Sequence, residues 1–221
     1  MGRTPFAYGT TARLFSSHAE SLATSLTDVC IEAPPGSGNS FIVQAFSLAN
    51  PDVRIAHHHH VPAQVLSAAK QGIPTLVILR NPIDCVLARV PDLQNLSMIG
   101  PNLRMWIGFW VGVSGVLDRI AVTTFEDLVA DPRGPIELIN RRFETKFKSV
   151  LPSTDHVFEI MRSHRAASPS LDRSIPHPNV PDARKAARKD AIRPYVYAHR
   201  AAPKAQRLYQ RLREELRART V

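Results

Sequence analysis

Residues 29–41, Val-Cys-Ile-Glu-Ala-Pro-Pro-Gly-Ser-Gly-Asn-Ser-Phe, constrain this chain more than any other stretch. Val29 to Ala33 is a short apolar run of the kind that forms a buried strand. Two prolines and two glycines then impose a tight loop, and Ser40 onward has the pattern of a helix. A strand, a Gly-rich loop and a helix N-terminus together make an anion cradle. The first N–H groups of the helix have no internal partner, and its dipole adds partial positive charge there. Gly36 and Gly38 permit backbone angles closed to other residues and let a phosphate approach the main chain.

The remaining chain repeats the strand-then-helix alternation. Ile42, Ala45 and Phe46 share one side of the first helix, and Asn50-Pro51 ends it. Val53–Ala56 is a second strand, followed by His57-His-His-His60 and a helix from Ala63 to Gln71. Pro74–Leu79 is near-continuously apolar, as in a parallel sheet covered on both faces. Arg80-Asn-Pro82 opens the next helix, with proline in its first turn. Asn95–Pro101 reads as a loop and Leu103–Leu117 as an apolar helix whose Trp106, Phe109 and Trp110 belong to the core. Ile120–Phe125 is a fourth strand, and Pro132–Phe143 a helix with Ile136, Ile139 and Phe143 inward. An N-terminal helix is expected from about Thr11 to Leu26. The expectation is an α/β fold with a central parallel sheet and helices on both faces. Ligands in such sheets bind beyond the carboxyl ends of the strands. The Gly-rich loop, the histidine run and Arg80 all follow strand ends.

Charge divides the chain. Its 221 residues carry a net charge of +9. Residues 1–161 hold 13 basic and 14 acidic side chains, and residues 162–221 hold 15 and 5. The second part reads as a mobile loop over Ser163–Pro181, then two basic helices, Arg184–Ala191 and Lys204–Arg219, within a single domain spanning residues 1–221. Few aromatic residues interleave these charges, so nucleic acid is not the expected partner. At 44% hydrophobic residues the chain is globular in class. No apolar run reaches membrane-spanning length, and the N-terminus lacks a secretory pattern, so a cytoplasmic location is expected. Cys30 and Cys85 occupy core positions as free thiols.

The nucleoside-triphosphate loop G-x-x-x-x-G-K-[ST] fits poorly here. Its window is Ala33–Ser40, with alanine at the first glycine and Asn39 at the lysine. Four motifs in order fit better: Pro35-Gly36-Ser37-Gly38-Asn39-Ser40-Phe41, His60-Val-Pro62, Arg80-Asn-Pro-Ile-Asp84, and Phe125-Glu-Asp-Leu-Val-Ala-Asp-Pro132. Together they resemble the sulfotransferases that use 3′-phosphoadenosine 5′-phosphosulfate on a three-layer, P-loop-like α/β fold. The resemblance spans about residues 28–145.

It implies that residues 36–41 hold the 5′-phosphosulfate, chiefly through Ser37, Gly38, Asn39 and Ser40. Arg80 is placed at the 3′-phosphate, with Asp84 in the same motif. Phe125 lies near the adenine, and His60 takes the acceptor's proton. Imidazole, with an unperturbed pKa of about 6.5, suits that role near neutrality. The reaction needs no metal, and the acceptor is a hydroxyl or amine on a small molecule or glycan. The chain departs from the family in three places. Gly36 replaces a loop cation, Ala88 replaces a serine, and the C-terminal R-K-G segment has no copy. Arg89, Arg184 and Lys185 are candidates to supply the missing charge. The alternatives are a P-loop nucleotide or small-molecule kinase, and a nucleotide-binding homologue without catalysis.

Overall fold

The structure, a computed structural model, describes residues 21–166 and 183–220. Its centre is a four-stranded sheet in the order β2-β1-β3-β4, with every neighbouring pair parallel. The strands are β1 (Val29–Glu32), β2 (Ile55–His57), β3 (Thr75–Leu79) and β4 (Ala121–Thr124). The central strands β1 and β3 are buried along their whole length.

Alternate residues of β3 divide between two cores, as the period of a strand requires. Leu76 and Ile78 join Val29 and Ile31 of β1 under α1 (Asn39–Ala49), α5 (Phe125–Ala130) and α6 (Gly134–Phe143). Val77 and Leu79 face the other way, toward α2 (Pro62–Lys70), α3 (Pro82–Arg89) and α4 (Ile99–Val113). Helices therefore cover both faces of a parallel sheet, and the expected three layers are present.

Local chemistry explains the helix boundaries. Asn81 caps α3 by accepting the Ile83 N–H at 2.9 Å, with Pro82 in the first turn. Thr124 caps α5 by accepting the Asp127 N–H, and its hydroxyl donates back to the Asp127 carboxylate at 2.6 Å. Glu126 and Asp127 thus open a helix, as their position after a strand suggests.

Three expectations need correction. Asn95–Pro101 is helical: a 3₁₀ segment, Leu93–Met98, runs directly into α4. Asp92 starts that segment by accepting the Gln94 N–H at 2.8 Å, and Pro101 is tolerated because it falls in the first turn of α4. Residues 21–26 are not α-helix, because Thr24 and Thr27 divert the backbone into side-chain turns; the rest of that expected helix lies outside the described residues. α8 (Ala183–Ala198) and α9 (Ala202–Thr220) bury Ile192, Val196, Ala205, Leu208, Tyr209 and Leu212 against α3 and α4. Residues 163–166, expected to open the loop Ser163–Pro181, are helical, and the rest of that expected loop lies outside the described residues. A further helix, α7 (Thr154–Ala166), packs on α1.

Candidate functional site

The glycine loop passes from β1 to α1 across the carboxyl end of the sheet. Gly36 and Gly38 have φ of 83° and 91°, the left-handed region that favours glycine. At Gly36 the requirement is also one of space. A Cβ there would lie 2.6 Å from the Cys85 carbonyl oxygen and 3.3 Å from the Ala88 Cβ. The loop therefore sits directly on α3. Two departures from the sulfotransferase pattern, glycine for the cation and alanine for the serine, meet at this one contact.

Side chains in the loop divide by direction. Ser37 is fully buried, and its hydroxyl lies 3.3 Å from the Cys85 Sγ. Burial, the largest influence, pushes the Cys85 thiol up to about 11 despite Arg80 nearby, so it stays protonated at neutral pH. Asn39 is 4% exposed, and neither polar atom of its side-chain amide has a hydrogen-bond partner. An unsatisfied buried amide costs about 1–3 kcal/mol, which a ligand accepting or donating there would recover. The Ser40 hydroxyl lies 3.0 Å from the His58 Nε2. Phe41 points away from the cradle and packs on Phe158 of α7, ring centroids 5.3 Å apart.

The histidine run follows β2 and folds around one carboxyl group. His58 and His60 both have left-handed backbone, φ 63° and 55°, which costs about 1–2 kcal/mol at a non-glycine residue. Glu32, at the end of β1, holds this turn. One of its oxygens accepts the His59 N–H at 2.8 Å, and the other accepts the His60 N–H at 3.1 Å and the Ala33 N–H at 3.4 Å. Glu32 is fully buried. Burial raises its pKa to about 8, outweighing the three N–H donors that favour the carboxylate. The His60 ring sits with Nδ1 2.7 Å from the Ala33 carbonyl oxygen. A carbonyl only accepts, so Nδ1 carries the proton and Nε2 keeps the lone pair in the neutral ring. His57 and His58 touch through their Nδ1 atoms. Among the described residues, no three His, Cys, Asp or Glu side chains are placed to hold a metal ion.

Arg80 follows β3. Its Nη1 donates to the Gly36 carbonyl at 2.6 Å, and its guanidinium lies 3.7 Å from the centroid of the Phe125 ring. Phe125 is thereby covered by Arg80 on one side and approached by Gly38, whose added Cβ would meet the ring at 3.0 Å. The Arg80 Nε is buried without a partner. The backbone of Arg80 is fixed from the core, where Trp106 Nε1 donates to its carbonyl at 3.1 Å.

The C-terminal helix α8 adds cations that the sequence did not single out. Arg193 reaches Asp84 of α3 at 3.4 Å and Asp190 at 3.6 Å. Lys189 stands one turn earlier. Its pKa is lowered, first by partial burial and then by the positive charge of Arg80, with Asp84 opposing and Arg193 adding. Arg80, Lys189, Arg193 and Asp84 thus form one electrostatic cluster between α3 and α8.

The structure brings Gly36, Ser37, Gly38, Asn39, Ser40, His60, Arg80 and Phe125 to one sheet edge, with Asp84 and Ala88 alongside on α3. Arg89 is exposed in the last turn of α3, at the far end of that helix from Arg80. Lys185 lies in the first turn of α8, and the Arg184 side chain falls outside the described residues. Sequence reasoning missed Glu32, His58, Lys189 and Arg193. The one signal for Glu32 was an acid inside an otherwise apolar strand.

No family model matches the chain, and no curated protein matches it. Among solved structures, it is similar to mouse sulfotransferase SULT7A1 complexed with PAP, at 13% identity and a TM-score of 0.44. The match covers 87% of this chain and 85% of that one. A likeness that shallow carries no functional inference.

Proposed function

We propose that the chain is a sulfotransferase that moves the sulfuryl group of 3′-phosphoadenosine 5′-phosphosulfate to a hydroxyl or amine. One observation carries this reading. A candidate base and a candidate cation, from two different strand ends, both bond the same glycine loop. His60 reaches the Ala33 carbonyl at 2.7 Å, and Arg80 the Gly36 carbonyl at 2.6 Å.

The residues suit the donor. The unpartnered Asn39 amide and the N-terminus of α1 provide polar groups for the 5′-phosphosulfate. Arg80, Lys189 and Arg193 provide positive charge for a 3′-phosphate. In the transfer, the acceptor's oxygen or nitrogen forms a bond to sulfur while the bond from sulfur to the 5′-phosphate oxygen breaks. The acceptor's proton passes to His60 Nε2, and 3′-phosphoadenosine 5′-phosphate leaves. Catalysis of this kind rests on in-line positioning and charge neutralisation. The acceptor belongs to the small-molecule or glycan class.

Calorimetry with 3′-phosphoadenosine 5′-phosphate and with ATP tests the reading. Binding of the bisphosphate in preference to ATP is expected. Tight ATP binding without a response to the bisphosphate would replace the reading with a nucleotide kinase. Labelled-donor turnover should fall about 10²–10⁴-fold in His60→Ala, the usual contribution of a general base. Gly36 favours a second reading, a nucleotide-binding homologue without catalysis, because the loop lies too close to α3 for a cationic side chain. Bisphosphate binding without turnover of any acceptor would select it.

A further inference from the structure

We propose that Glu32 is a positioning residue for the histidine turn. Its carboxyl, by accepting the backbone N–H groups of His59 and His60, holds His60 so that Nδ1–H is committed to Ala33 and Nε2 is the basic nitrogen.

The geometry is specific to that task. Glu32 is fully buried at the end of β1, where an apolar side chain would satisfy the core. Its two oxygens divide the labour, one on His59 at 2.8 Å and the other on His60 at 3.1 Å. The turn takes left-handed backbone at His58 and His60, on either side of His59, where the two N–H groups meet the carboxyl. That same backbone brings the His60 Nδ1 to 2.7 Å from the Ala33 carbonyl, while the Glu32 oxygen stands off at 3.9 Å. The ring is thus fixed by the carbonyl and the backbone by the carboxyl. Glu32 and Ala33 are adjacent in β1 and the start of the loop, so the histidine turn is registered against the glycine cradle itself. Without the carboxyl, two part-buried N–H groups lose this acceptor and the left-handed turn loses a hold on its backbone.

Two variants test the role. Glu32→Ala removes both acceptors. Glu32→Gln keeps the shape and one acceptor oxygen, which protects the test if the alanine variant does not fold. Long-range ¹H–¹⁵N spectra report the tautomer of each imidazole, with the His60 signals identified by their loss in His60→Gln. The wild type should show His60 protonated at Nδ1 alone, and Glu32→Ala a mixture of tautomers. At pH 9, where the wild-type carboxyl is ionised and both its oxygens accept, amide hydrogen exchange in Glu32→Gln should speed up about tenfold or more at one of His59 and His60 but not both. A folded Glu32→Gln protein with both amides exchanging at the wild-type rate and His60 unchanged at Nδ1–H would overturn the proposal.

A turnover measurement rests on the sulfuryl-transfer reading. There kcat should fall about 10-fold in Glu32→Gln, with the donor KM unchanged, as expected for a lost orientation rather than a lost contact. Absence of turnover in the wild type would count against that reading alone, since the tautomer and exchange measurements need no donor.

Discussion

Two residues carry opposite kinds of constraint, and each makes a prediction. Gly36 is fixed by steric room: its backbone is left-handed, and the Cys85 carbonyl occupies the space a Cβ would need. Gly36→Ala should lower stability by about 2–4 kcal/mol, combining backbone strain with displacement of α3. Gly36→Lys, which introduces the cation of the sulfotransferase pattern, should lower the denaturation midpoint as well. A lysine variant as stable as wild type would show that the loop can lift away from α3. Glu32 is fixed by its protonation state. Its folded pKa is raised from 4.5 to about 8, so the folded protein holds a proton that the unfolded chain releases. The resulting stabilisation is complete below about 4.5, shrinks as pH rises toward about 8, and does not change further above that. Across that window the slope is roughly 1.4 kcal/mol per pH unit. Glu32→Gln, which cannot ionise, should flatten the fall in urea midpoint between pH 5 and pH 8. Equal slopes in the two proteins would show that Glu32 does not hold its proton on folding.

The decisive element is α8, which turns the basic C-terminal segment into part of the candidate nucleotide site. Arg193 bridges to Asp84 of α3, and Lys189 feels the charge of Arg80. The sequence pointed to this segment through its excess of positive charge, and to Arg184 and Lys185 as substitutes for a missing motif. It could not reveal which turn of the helix meets α3, because that depends on the packing of Ile192 and Val196. The double variant Lys189→Ala, Arg193→Ala should weaken 3′-phosphoadenosine 5′-phosphate about tenfold or more, the effect of one charged hydrogen bond of about 1.5–3 kcal/mol. Adenosine 5′-phosphosulfate, which lacks the 3′-phosphate, should lose little. Calorimetry of both ligands on both proteins decides the matter. Equal losses for the two ligands would place these cations elsewhere than at a 3′-phosphate.

At the scale of the whole molecule, the sheet was legible because its signals are local. Residues 76–79 are apolar without interruption, and Asn81-Pro82 starts a helix by chemistry confined to three residues. The candidate site was legible only where a motif follows a strand end, as at Gly38, His60 and Arg80. Glu32 stayed hidden because its partners, two backbone N–H groups, belong to a segment more than twenty residues away and have no side-chain signature.

The tail was legible as helix but not as core, since its apolar residues are spaced among arginines. That difference has a measurable consequence. Both tryptophans, Trp106 and Trp110, lie in the cluster that α8 and α9 complete, and Tyr209 meets Trp106 with ring centroids 6.4 Å apart. If the tail helices belong to the same cooperative unit, Val196→Ala and Leu212→Ala should each lower global stability. Loss of a buried aliphatic side chain costs about 2–5 kcal/mol for leucine and less for valine. Tryptophan fluorescence and far-UV circular dichroism should then give one coincident urea transition in wild type and in both variants. A tail that merely decorates the sheet predicts the opposite: the variants would shift an early helical transition and leave the tryptophan transition where it was. The buried positions of Val196 and Leu212, at 0% and 3% exposure, favour the single transition. The basic face of α8 would then be held at the candidate nucleotide site by the same core that holds Arg80.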